Sequence, residues 1–382
     1  VRQQAALTAV GRLAHSRRAD KEDVMKRVPR LLLFAAAVLL ILAPSAPAQT
    51  PALYQGPLFD GHSHPIPWVD PPLTVPAVAA MLTEVGTMGV FLGTMNMHVG
   101  GAEEGAKLAR QYPNVIYPFL GISGFPGPNS AHWLQQDPVF IKEEMARIDK
   151  ALESKLFVGI GEIFTQFGQI ASISGPTFPA DGPGMMALAA VAAKHNVILQ
   201  VHHTVVPMGD EGKGPRLDDW ERFVSKNPKT KILLAHGGFT PEWLADIGPQ
   251  GGPAKIREWL GKFPNLFVEL SWATNSASFQ RGLIRTAIPY NPKAVAPVTT
   301  DGKTLRPEWK RLFEDFPDRF VGYGSDPTFN FVLDGSRQVK TQREVIEVVK
   351  LGVQNVREML GQLPPAVAEQ IAYKNALRLV GR

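Results

Sequence analysis

"GIGEIF", residues 159–164, is the stretch on which the fold turns. Two glycines one residue apart after an apolar run would open a dinucleotide-binding turn if a third glycine completed the motif. Position 164 is Phe and no helix start follows, so that reading fails. What remains is an apolar strand, LFVGIGEI (156–163), ending on a carboxylate. Seven further runs match it: PLFDGHSH (57–64), MGVFLGT (88–94), VIYPFLG (115–121), VILQVHH (197–203), KILLAHGG (231–238), LFVELSW (266–272) and RFVGYGSD (319–326). Helix-forming stretches such as DPVFIKEEMARIDKALES and GMMALAAVAAKHN lie between them. TQREVIEVVKLGVQNVREML and PAVAEQIAYKNALRLV follow the eighth. Strands alternating with helices build a parallel sheet from βαβ units. Eight such units predict an α/β fold, a (β/α)8 TIM barrel in a single domain, over a doubly wound open sheet.

The chain before the barrel reads differently. Met25 is followed by Lys26, Arg27 and Arg30, then LLLFAAAVLLILA, then Ala46-Pro47-Ala48. A basic start, a short apolar core and small residues before Gln49 predict a secretory signal. The apolar run has 13 residues, fewer than the ~20 of a spanning helix. The expected organisation is an upstream segment over 1–24, a signal over 25–48 and the barrel over 49–382, in an exported protein, periplasmic or secreted. Eight of the 40 basic and three of the 35 acidic residues precede position 49, leaving 32 of each. The net charge of +5 therefore belongs largely to the leader, and neither a nucleic-acid partner nor stable membrane insertion of the mature chain is expected. The chain has no cysteine, which removes disulfides, thiolate metal sites and a cysteine nucleophile together.

Five of the nine histidines end predicted strands: His62 and His64 on the first, His202 and His203 on the fifth, His236 on the sixth. Glu162 ends the fourth and Asp326 the eighth. Barrel chemistry is built at the C-terminal ends of the strands, so these residues converge on one ring. Side-chain alternation puts His62 and His64 on one face. In VILQVHH it places Gln200 and His202 inward, with Leu199, Val201 and His203 toward the helices. Glu269 and Ser271 form a polar inward pair, and Gly322, Gly324 and Asp326 face in together. His195 is expected at the surface, and His98 and His132 in loops at the mouth. Imidazole and carboxylate are the ligands that zinc, manganese or iron accept without thiolate. An ion so held activates water and polarises a carbonyl while a nearby carboxylate takes the proton. Asp326 can be ligand, base or both.

With HSH on the first strand, His202 on the fifth, His236 in LLAHGG and Asp326 in GSDP, the chain resembles the metal-dependent amidohydrolase superfamily. IAYKNALRLV is similar to the closing helix of its amidohydrolase-related branch. The resemblance covers about residues 58–380. It implies one or two divalent ions, zinc first, with manganese and iron as alternatives. In one-metal members His62, His64, His202 and Asp326 would bind the ion, with His236 assisting catalysis unligated. In two-metal members, similar to the TatD-like hydrolases, Glu162 joins the ligands and His236 binds the second ion.

Three functions fit this pattern. The first is an exported hydrolase attacking an amide, ester or lactone carbonyl of a small molecule, with Asp326 and His236 as catalytic residues. The second is a non-oxidative decarboxylase or hydratase on the same scaffold. The third is a metal-bearing binding protein without turnover. Trp68, Phe125, Trp133, Trp272 and Phe329 could form an aromatic rim to the pocket. Lys213, Arg216, Arg281 and Arg285 could meet a substrate carboxylate or simply face solvent.

Overall fold

The computed structural model describes residues 52–65, 69–94, 102–122, 130–166, 169–170, 173–174, 179–203, 217–238, 251–271, 298–299, 303–326 and 340–382. The signal reading over 25–48 lies outside these residues. So do His98, Trp68, Phe125, Trp272, Phe329, Lys213, Arg216, Arg281 and Arg285.

Eight parallel strands follow one another around a barrel: β1 (Leu58–Ser63), β2 (Thr87–Thr94), β3 (Ile116–Leu120), β4 (Gly159–Gln166), β5 (Ile198–His203), β6 (Lys231–Leu234), β7 (Leu266–Glu269) and β8 (Phe320–Val321). Each pairs with the next in sequence. The residues after β8 close the ring on β1: Gly61 N donates to the Tyr323 carbonyl at 2.7 Å, and Asp326 N to the His62 carbonyl at 2.8 Å. Pro51–Arg382 form one compact unit, a (β/α)8 TIM barrel. No helix among the described residues is long and apolar enough to cross a membrane.

The helices begin where their sequences direct. Asp137 accepts from the amides of Val139 and Phe140 to cap Pro138–Leu152, which satisfies two donors the helix itself cannot. Thr341 and Glu344 form a reciprocal capping box at the start of Gln342–Leu360. The helix Pro307–Asp315, before β8, was not anticipated from sequence. Its Pro at the first turn and buried Trp309, Leu312 and Phe313 at helical spacing explain it.

The core has two layers. Leu199, Val201, Ile232 and Leu234 face outward onto helix residues such as Trp220, Phe223 and Trp259. Phe59, Phe91, Tyr117, Phe119, Ile198, Leu233, Phe267 and Val321 fill the interior, joined by Ala376 and Leu379 of the closing helix. Phe59 and Phe91 meet edge-on at 4.8 Å between centroids, and Phe91 and Phe119 are 5.1 Å apart, the tilted contacts that aromatic quadrupoles favour. Trp133, expected at the rim, is instead fully buried against Phe140. Its helix, Ser130–Gln135, turns the indole onto the outer core, where it packs where Gly184 has no side chain.

Candidate metal centre

Six of the residues read from sequence meet above the interior core, all buried: His62, His64, Glu162, His202, His236 and Asp326. The route by which they arrive differs. On β5, plain alternation turns His202 inward, and its Nδ1 lies 2.9 Å from Glu162 Oε1. His203 turns outward, stacks on Trp220 at 4.9 Å and pairs with the Thr165 hydroxyl. On β1 and β4 the ladders shift register, between Asp60 and Ser63 and between Ile160 and Ile163. Such irregularities re-aim side chains next to active sites. They bring His62, His64 and Glu162 inward. His236 and Asp326 sit at positive φ, 56° and 29°, a costly backbone state for non-glycine residues that concentrates at functional sites. The His64 ring lies where Gly93 carries no side chain; a Cβ there would be 2.5 Å from Cε1.

Glu162 joins two histidine pairs. Its Oε2 lies 3.5 Å from His62 Nε2 and 3.9 Å from His64 Nε2, which are 2.9 Å from each other. Its Oε1 lies 2.9 Å from His202 Nδ1 and 2.8 Å from His236 Nε2. Asp326 Oδ1 stands 3.8 Å from His62 Nε2 and 3.5 Å from His64 Nε2. Ligand atoms ~2.0–2.2 Å from a common ion are about 3.0–3.5 Å apart in tetrahedral or octahedral sites. The first group of atoms is close to that spacing.

The electrostatics are those of a site able to hold a cation. Burial pushes the His236 imidazole down to about 4, with Glu162 opposing, so the ring is neutral near pH 7. The Ser271 hydroxyl donates to Glu269 at 2.8 Å and so accepts from His236 Nδ1–H at 2.5 Å. The His236 Nε2 lone pair then faces a carboxylate oxygen, an arrangement that a positive charge between them would stabilise. Burial, helped by Glu162, Glu269 and Asp60, pushes Asp326 well above the usual carboxylate range, with His62 opposing. Burial works against a charge on His62, yet Asp326 and Glu162 hold it well above the usual imidazole value. In spite of burial, His62 and the contacts with His236 and His202 hold Glu162 well below its usual range. The donor set fits one or two divalent ions: His62, His64 and Glu162, and again Glu162, His202 and His236, bring ligand atoms within 4.8 Å of one another.

Two buried carboxylates belong to the site without having been assigned a role from sequence. Glu269, read only as inward-facing, lies 3.1 Å from His62 Nδ1. Asp60 accepts from the amides of His62 and Ser325 at 3.1 and 2.9 Å and so ties β1 to the chain after β8. Burial pushes it up to about 7. One expectation fails locally: Gly322 does not join Gly324 and Asp326 on the inner face. The β7–β8 ladder ends at Val321, whose side chain is already inward, and Gly322 backs onto Ile371. His132 sits on a helix rather than in a loop, paired with Asp137 at 2.8 Å. His195, in the last turn of its helix, pairs with Asp149 at 2.6 Å.

Fold and site together define a TIM-barrel enzyme with a polar, cation-seeking mouth. The family model described as Amidohydrolase matches residues 59–382, and the chain belongs to that family. No curated protein matches the chain. Among solved structures it is similar to an uncharacterised TIM-barrel protein of Bordetella bronchiseptica, at 13% identity over 86% of this chain and 100% of that one, with a TM-score of 0.49. A 2,6-dihydroxybenzoate decarboxylase from Rhizobium shows 12% identity over 85% and 99%, with a TM-score of 0.45. A probable 2-pyrone-4,6-dicarboxylic acid hydrolase of Acinetobacter baumannii shows 10% over 86% and 100%, with a TM-score of 0.43.

Proposed function

We propose that the protein is an exported, two-metal hydrolase acting on an amide, ester or lactone carbonyl of a small molecule. The carrying observation is the double engagement of Glu162, one oxygen toward His62 and His64 and the other toward His202 and His236. A carboxylate between two imidazole pairs suits a bridge between two ions, zinc being the first choice for this ligand set. His62, His64 and Asp326 would hold one ion, His202 and His236 the other, with Glu162 shared. Bound there, divalent ions supply Lewis acidity to a carbonyl and acidify water.

The chain's own groups do the rest. Asp326 Oδ1 faces the first pair, while Oδ2 has no hydrogen-bond partner among the described residues. Its raised proton affinity suits a base that takes a proton from attacking water and returns it to the leaving group. His236, anchored through Ser271, keeps its Nε2 aimed at Glu162. Export rests on the signal-like residues 25–48.

The test is metal content per chain, on protein from Gln49 onward purified without chelator, for wild type and Glu162→Gln. Two equivalents falling to one in the variant are expected. One equivalent in both would demote Glu162 and move the chemistry toward decarboxylation or hydration.

A further inference from the structure

Glu269 is fully buried, and its contacts form a pattern. Its Oε2 lies 3.1 Å from His62 Nδ1, accepts the backbone amide of His236 at 3.2 Å and accepts the Ser271 hydroxyl at 2.8 Å. That hydroxyl in turn accepts from His236 Nδ1 at 2.5 Å. Its Oε1 accepts the Ser271 amide. One carboxylate thus occupies the Nδ1 of both histidines, directly for His62 on β1 and through one hydroxyl for His236 in the turn after β6. Their rings stack at 4.8 Å and 21°. A ring whose Nδ1 carries the proton presents a lone pair on Nε2. Both Nε2 atoms face Glu162.

The surroundings are shaped to this carboxylate. A Cβ on Gly324 would run into Glu269 Oε1 and lie 2.6 Å from Ser271 Cβ, and one on Gly61 would lie 3.3 Å from Glu269 Cγ. Both β1 and the chain after β8 therefore leave room for it. The amide it accepts belongs to a residue held at φ 56°, so the bond also secures a backbone state that is costly for a non-glycine residue. Glu269, His62 and His236 have ligand atoms close enough to be grouped around an ion. The His62 ring argues against Glu269 as a ligand, because its Nε2 is already committed beside His64 Nε2 at 2.9 Å.

We propose that Glu269 is a positioning residue that selects the Nδ1–H form of both His62 and His236, so that one buried carboxylate prepares both halves of the centre. The inference rests on reading the histidine cluster as a metal centre. Partners of this kind orient ligand histidines and raise their basicity, and losing one costs about 10–100-fold in metal affinity.

Zinc affinity is measured by chelator competition for wild type and Glu269→Gln, beside the melting temperature of each metal-free protein. The expected result is weakening of both equivalents by about 10–100-fold in a variant that still melts cooperatively near the wild-type temperature. Wild-type affinity in the variant would overturn the positioning role and leave the metal reading intact. A wild type that binds no zinc would sink both. Should Glu269→Gln fail to fold, histidine nitrogen NMR of zinc-loaded wild type decides: protonated Nδ1 on His62 and His236 is expected, and zinc bound through Nδ1 of either ring overturns the assignment.

Discussion

The two halves of the barrel interior are lined by the same strands and do opposite things. On β5 the inner face runs from Ile198 to His202, on β7 from Phe267 to Glu269 and Ser271, and on β1 from Phe59 to His62. The lower half is aromatic and aliphatic, needs no partners and gains stability in proportion to the surface it hides. The upper half holds four carboxylates, Asp60, Glu162, Glu269 and Asp326, and four histidines, all buried. Burying such groups costs several kcal/mol each unless they are paired. A few residues along each strand separate a layer that stabilises from one that must be stabilised, and this division lets the barrel mouth hold frustrated charge.

Asp326→Asn tests the upper half most severely. Turnover of any accepted substrate is expected to fall on the order of 10⁴-fold, about 5.5 kcal/mol in the barrier. The melting temperature of the metal-free protein should hold or rise, since Asn replaces a buried acid crowded by Glu162 and Glu269. Retained turnover would remove Asp326 as the base. The lower half should give the reverse pattern. Phe119→Ala is expected to cost about 3–5 kcal/mol of stability, because Phe119 fills the space against Phe91 and Gly159. Chemical denaturation measures that loss, and the folded fraction should keep its metal. Metal loss at full stability would show that the two halves are not separable.

How much of this was legible in sequence follows the regularity of each strand. On β5 and β7 alternation is unbroken, so His202 against His203, and Glu269 with Ser271, could be placed by counting. On β4, Ile160 faces the outer core, and strict alternation would send Glu162 with it. Only the register shift between Ile160 and Ile163 brings the carboxylate inside. Glu162 was found because the apolar run ends near it, although β4 continues to Gln166, and not by its parity. On β1, His62 and His64 share a face by spacing, but Phe59 already points inward, and the shift after Asp60 reconciles the two. Past β8 no ladder constrains the chain, and counting failed at Gly322. The role of Glu269 was hidden for another reason. It depends on which ring nitrogen each histidine presents, and spacing carries no information on that. Asp60 was missed because its partners are backbone amides, one from β1 and one from the chain after β8. The helix Pro307–Asp315 could have been read from its Pro and its apolar spacing.

The mildest test is drawn across one strand, between adjacent residues. His203 belongs to the outer layer, stacked at 14° on Trp220 and bonded to Thr165 at 2.9 Å. His203→Ala is expected to cost about 1–3 kcal/mol, the sum of a lost ring contact and a lost hydrogen bond, with metal content unchanged. His202→Ala should remove the equivalent shared with Glu162 and His236. Elemental analysis beside a denaturant titration separates the two outcomes. The opposite pair of results, metal lost with His203 and kept with His202, would mean that β5 is turned by one residue. Its inner and outer faces would then exchange, taking Gln200 out of the barrel and Leu199 and Val201 into it.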